Sequence, residues 1–174
     1  MVLSNDESLM LIHNYPDLAR ELASMISSAE HEIYIAPRYY EPAIGSIVLA
    51  KFAQGVSIHM LDSNPSGVSF EDRLRSASVH DMKNRDLILK FLAEPNSLIR
   101  IDRLDYSFVV IDGHSCGVEL VNPANPENFF CAMKIESNTL AGELIRMFED
   151  LARSQSKNPI AIESPVAVAR QVKE

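Results

Sequence analysis

No run of about 18 apolar residues occurs anywhere in the sequence, which excludes a transmembrane helix of ordinary length. Basic residues are in deficit: 16 lysines and arginines stand against 24 aspartates and glutamates, a formal net charge of −8 at pH 7. Phosphate backbones are held by clustered cations, so the bulk of this surface is a poor nucleic-acid interface. The six glycines are scattered, and none belongs to a G-x-G or P-loop pattern, so no backbone cradle for phosphate is encoded. Cysteine is reduced to Cys116 and Cys131, both inside strand-like runs and without metal-ligand spacing. They read as reduced core thiols of a cytoplasmic protein rather than as a disulfide. The first residues, MVLSNDESLML, place acids ahead of a short apolar stretch and lack the basic start of a signal peptide. No His/Cys/Asp/Glu group has metal spacing, so neither a metal nor a cofactor is expected.

What remains is ordinary globular composition, 47% apolar and 23% charged over 174 residues, enough for one domain with a full core. Tyr15 to Glu30 places Leu18, Leu22, Met25, Ile26 and Ala29 at helical spacing, with Pro16-Asp17 as a start signal. Ile33 to Ile35 forms a short β-run closed by Pro37. Ala43 to Ala53 is again helical and stops at Gly55. GVSIHMLDS supplies a strand ending at Asp62. This helix–strand alternation predicts a βαβ unit and a parallel sheet. Asn64 to Ser78 reads as a long loop followed by helical pieces, and Met82 to Ala93 as a helix. Four β-runs follow, at 98–101, 107–111, 116–121 and 129–135. A closing helix over 138–152 has Asn138 as its N-cap residue and Leu140, Leu144, Ile145, Phe148 and Leu151 on one face. The expected architecture is an α/β three-layer sandwich, a mixed and mostly parallel sheet with helices on both faces. Residues 1–153 form the domain and 154–174 a tail or docking arm. Ligands of such sheets bind beyond the carboxyl ends of strands, which nominates Arg38, Tyr39, Asp62, Ser63 and Asn64.

The stretch LDYSFVVIDG, 104–113, carries a more specific signal. It resembles the signature strand of phospholipase D-type phosphodiesterases, H-x-K-x4-D, followed after six residues by G-S-x-N. In that chemistry the His attacks phosphorus, the Lys neutralises the phosphate, and the Asp supports them. Aligned on Asp112, the Lys position falls on Ser107 and the His position on Asp105. The G-S-x-N positions fall on Glu119, Leu120, Val121 and Asn122, so the Asn alone is matched. The segments AEHEIYIAPRYYEP and GVSIHMLDS match the first half of such a domain, and the resemblance spans residues 10 to 153. It implies a phospholipase D-like half without its nucleophile or its cation, and hence no catalytic residues. A carboxylate at Asp105 would repel a phosphodiester.

The variant pattern, with GVELVNPANPENF after the strand, is similar to the effector-binding domains of archaeal transcriptional regulators of the TrmB type. Those proteins join a winged helix-turn-helix to a phospholipase D-like domain that binds sugar. The resemblance implies ligand sensing, a small-molecule effector of which sugar is one class, and a homodimer formed about the signature strands. No winged-helix segment precedes Met10, so the chain is expected to be a truncated piece or a stand-alone sensor. DNA would be contacted only through that absent domain, and no membrane is involved.

The ligand-binding set is therefore Arg38, Tyr39, Asp62, Asn64, Asp105, Ser107, Glu119 and Asn122. Arg38 is placed to hold an anionic group or to pair with an acid at the strand end. Tyr39 is placed to stack on a sugar ring. Asp62 either accepts from hydroxyls or starts the turn in DSNPSG. Glu119, in an apolar strand, requires a cationic partner such as Arg38. Two decoys are set aside. HDMKNRD, 80–86, has the letters of the phosphodiesterase signature at the wrong spacing and reads as a solvated cap, in which Asn84 and Arg85 either close over a pocket or, as the favoured reading, make surface salt bridges. His59 reads as a satisfied strand histidine. A competing reading keeps phosphodiesterase or nuclease activity, with Asp105, Asp112 and Glu119 gathering Mg²⁺. It requires those carboxylates to converge.

Overall fold

The computed structural model describes residues 8–38, 42–63, 70–80, 84–95, 97–101, 104, 106–125 and 128–156. Tyr39, Asn64 and Asp105, together with residues 157–174 of the expected arm, lie outside them. The strands are β1 (Ser8–Ile12), β2 (Glu32–Ala36), β3 (Ser57–Ser63), β4 (Leu98–Ile101), β5 (Phe108–Ile111), β6 (Ser115–Leu120) and β7 (Cys131–Glu136). The helices are α1 (Tyr15–Ser28), α2 (Pro42–Ala53), α3 (Phe70–His80), α4 (Arg85–Ala93) and α5 (Asn138–Ser156).

These strands form a seven-stranded sheet in the order β1-β7-β6-β5-β2-β3-β4. Only β2–β3 and β3–β4 are parallel; the other four neighbouring pairs are antiparallel. The expectation of a mostly parallel sheet is thus corrected. Helical crossovers return the chain in the same direction only between β2, β3 and β4, whereas β5, β6 and β7 follow one another without an intervening helix.

Strand alternation divides the core into two layers. Ile33, Ile35, Ile58, Met60, Val109 and Ile111 pack against α1, α2, α3 and α4 through Met25, Ile26, Val48, Leu74, Ile88 and Phe91. Leu61, Ile101, Phe108, Val110 and Cys116 face α5 through Ala141, Leu144 and Phe148. Helices therefore lie on both faces, as a three-layer sandwich requires.

Local chemistry explains the helix ends. Asn14 Oδ1 accepts the Asp17 N–H at 2.9 Å, and Pro16 sits in the first turn of α1, where its missing N–H costs nothing. Gly55 closes α2 at φ +90°, and the Val56 N–H reaches back to Lys51 O at 3.1 Å. The capping residue of α5 is Ser137 rather than Asn138. Ser137 Oγ accepts from the Leu140 N–H at 3.3 Å, while Asn138 Oδ1 bonds to His114 Nδ1 at 3.0 Å. That helix also runs four residues further than expected, to Ser156.

At Gly117, β6 has no room for a side chain. A Cβ there would lie 2.9 Å from Val109 Cγ1 and 3.6 Å from the Met25 sulfur. Gly117→Ala is expected to destabilise the fold by about 1–3 kcal/mol through overpacking, read as a lower urea midpoint with an unchanged slope. Both cysteines are buried free thiols, and burial pushes the Cys116 thiol up to about 11. No described helix is long and apolar enough to cross a membrane.

Candidate functional site

At one end of the sheet β2 and β3 finish and β5 begins. Ala36 lies opposite Phe108, and Phe108 opposite Val118, so the ends of β2, β5 and β6 stand side by side. The ladder continues one step further, where the Glu119 N–H donates to Ser107 O at 2.9 Å. Ser107 and Glu119 are therefore cross-strand neighbours. Arg38, two residues past β2, places Nη1 3.3 Å from Glu119 Oε1. Their side chains are 14% and 3% exposed, a nearly buried ion pair. The structure thus brings Arg38, Ser107 and Glu119 together, and Arg38 is the partner that a strand carboxylate at 119 required.

Asp62 is also buried, but its Oδ2 accepts the Glu71 N–H at 3.1 Å in the first turn of α3. It works at least in part as a helix cap, which the turn reading of DSNPSG anticipated only loosely. Asn122 is used locally as well. Its Oδ1 accepts from the Ala124 N–H at 2.9 Å, which makes an Asx-type turn after β6. His59 lies in β3 and stacks on Tyr34 with ring centroids 4.5 Å apart, and Tyr34 meets Phe148 edge-on at 5.3 Å. Burial lowers the His59 pKa and raises that of Tyr34. Asn84 and Arg85 are exposed at the start of α4.

The residue whose role the sequence concealed is Asp112. It sits in the β5–β6 turn at φ +50°, beside Gly113 at φ +66°, and the His114 N–H closes the turn onto Ile111 O at 3.0 Å. Its carboxylate reaches across the sheet to the strand before it in space. Oδ2 accepts the Glu30 N–H at 2.9 Å, and Oδ1 accepts those of His31 at 2.8 Å and Glu32 at 2.9 Å. Partial burial pushes its pKa up, but the backbone N–H groups of Glu32, Glu30 and His31 outweigh that and hold the carboxyl below its ordinary value. An aspartate before a turn glycine signals the turn; nothing in the sequence signals a contact some 80 residues away.

No family model and no curated protein matches the sequence. Solved structures do. TrmBL2, an archaeal chromatin protein described as showing a novel mode of DNA binding, superposes with a TM-score of 0.65 at 14% identity. The match covers 86% of this chain and 54% of that one, so this chain spans about half the length of TrmBL2. Nuc from Salmonella typhimurium, a phospholipase D family member, superposes at 0.57 with 16% identity over 83% of this chain and 93% of that one. This chain has a phospholipase D-like fold. NucT from Helicobacter pylori superposes too, at 0.61 and 14% identity, over 85% of this chain and 97% of that one.

On this phospholipase D-like frame the signature positions acquire places. Ser107, which the resemblance puts at the Lys position, is the backbone partner of Glu119, whose carboxylate is held by Arg38. Asp112 lies in the turn at the far end of the β5–β6 hairpin from Glu119. Those two carboxylates do not converge, so the Mg²⁺ arrangement loses one of its three ligands.

Proposed function

We propose that this chain is a ligand-sensing domain that keeps the phospholipase D-like scaffold without its phosphodiester chemistry. It serves as the effector-binding and dimerising part of a cytoplasmic transcriptional regulator. The observation that carries the reading is the buried Arg38–Glu119 pair beside Ser107. A phosphodiesterase of this kind needs uncompensated positive charge where the substrate phosphate sits. Here the signature strand offers a hydroxyl, and the nearby guanidinium is engaged by a carboxylate.

A guanidinium and a carboxylate side by side at the end of a sheet form a donor–acceptor pair suited to a neutral polar ligand, and sugars are the first class to test. The ligand acts by binding one arrangement of the homodimer better than another. DNA is read by a separate winged-helix unit, in keeping with the acidic balance of this domain.

The test is a thermal-shift screen with sugars, nucleotides and organic acids, followed by Arg38→Lys. That variant keeps the charge and loses the planar fork. A sugar that raises Tm in the native chain and fails to do so in Arg38→Lys is the expected outcome. Absence of any stabiliser across the three classes would contradict the sensing role.

A further inference from the structure

The first strand is exposed in a way that edge strands of single-copy proteins rarely are. Leu9, Met10 and Leu11 are 61%, 42% and 45% exposed. They form three successive apolar residues in a strand of five. β1 pairs with β7 through five consecutive partners, Ser8↔Glu136 to Ile12↔Ala132, with no bulge. Its other edge faces no described strand. SLMLI contains no charge and no proline, the usual devices that keep such an edge from pairing with another chain.

We infer that β1 is the seam of a homodimer, two copies pairing antiparallel about a two-fold axis at Met10. This rests on the dimeric reading of the function and gives it a location other than the signature strands.

The sheet itself argues for this occupant. Leu11 lies beside Met133, which lies beside Val118; Leu9 lies beside Ile135, which lies beside Cys116. Val118 and Cys116 belong to the core layer under α5, so two apolar rows run from that core to the edge and end on exposed leucines. An axis at Met10 sets Leu9 opposite the partner's Leu11, and Ser8 opposite the partner's Ile12. Each apolar row then continues into a row of the second copy.

On the other face Met10 meets the partner's Met10. The neighbouring Lys134 amine is tied back by Glu21 at 2.8 Å, out of the way of the axis. Two copies that each carry −8 repel, and the seam is made where neither presents a charge. The opposite edge strand, β4, is a poorer partner. It carries the exposed Arg100, and a β1–β4 contact is head-to-tail and leaves a free β1 and β4 edge on every pair, whereas β1–β1 closes at two. Five residue pairs bury less than the roughly 1,200 Å² of a standard stable interface, so the dimer should dissociate on dilution.

Sedimentation velocity over a dilution series, combined with cross-linking of Met10→Cys by a short bis-maleimide, tests the seam. Cys116 and Cys131 are buried and leave little background. Tyr106→Cys, on the exposed start of the signature strand, reports the alternative interface. A dimer that cross-links through Met10→Cys is the expected result. Leu9→Lys and, separately, Leu11→Lys should raise its dissociation constant by roughly tenfold or more, since each lysine would be buried unpaired at the seam. Circular dichroism melting of each variant separates lost pairing from lost folding. A dimer that cross-links through Tyr106→Cys and not Met10→Cys would overturn the seam and leave the dimeric reading standing. A monomer at every concentration would overturn both.

Discussion

Asp112→Ala is expected to lower the stability of the domain by about 2–3 kcal/mol, more than a surface turn substitution ordinarily does. The wild-type carboxylate receives three backbone N–H groups, from Glu30, His31 and Glu32, and so anchors the entry of β2 to the β5–β6 turn. Alanine removes every acceptor and must also adopt φ +50°, where a Cβ without a polar side chain is strained. Asp112→Asn keeps one oxygen and tolerates the left-handed backbone, so it should lose only part of this. The pH dependence follows from the lowered pKa. Asp112 contributes its full stabilisation above the unfolded aspartate value of about 3.9 and loses it as pH falls through the lower folded value. Urea midpoints between pH 6 and pH 2 should fall steeply in the native chain and less so in Asp112→Asn.

Arg38→Ala should be of similar size, on the order of 3 kcal/mol, because it removes a charge partner of a carboxylate that is 3% exposed. Glu119→Ala should cost somewhat less, since the Arg38 guanidinium is closer to solvent and can partly rehydrate. The paired replacement Arg38→Met with Glu119→Leu is expected to recover most of the loss, as apolar residues of similar volume often do at buried ion pairs. A double-mutant cycle by chemical denaturation measures the coupling, expected at about 1–3 kcal/mol. A coupling near zero would mean that the pair is incidental to the fold.

Helices α1, α2, α4 and α5 were readable from apolar spacing, whereas α3 was read only as helical pieces after a loop and the N-cap of α5 was placed one residue late. Gly55 stops α2 where the sequence says it should, and α5 buries Leu144 and Phe148 as its pattern requires. β1 was not readable. Leu and Met favour helices as readily as strands, and Ser8–Ile12 is held extended by its partners in β7, more than a hundred residues away. Sheet direction failed for a related reason. Periodicity reports which residues face the core, but not which neighbour a strand chooses, and β5 chose β2 from the far side of the fold.

The site divides along the same line. Arg38 and Glu119 were legible because a carboxylate in an apolar strand demands a partner, and Arg38 stood at a strand end where one was available. The roles of Asp62 and Asn122 were ambiguous in sequence because capping and ligand binding ask for the same side-chain oxygens. Only the backbone N–H groups supplied by Glu71 and Ala124 show how these oxygens are used.

We propose that the phospholipase D-like scaffold here carries no phosphodiester chemistry. Initial rates of hydrolysis of a chromogenic phosphodiester, measured with Mg²⁺ and with EDTA, test it directly. Rates equal to the uncatalysed background under both conditions are expected. Enzyme-proportional turnover that disappears in Asp105→Asn would contradict the account.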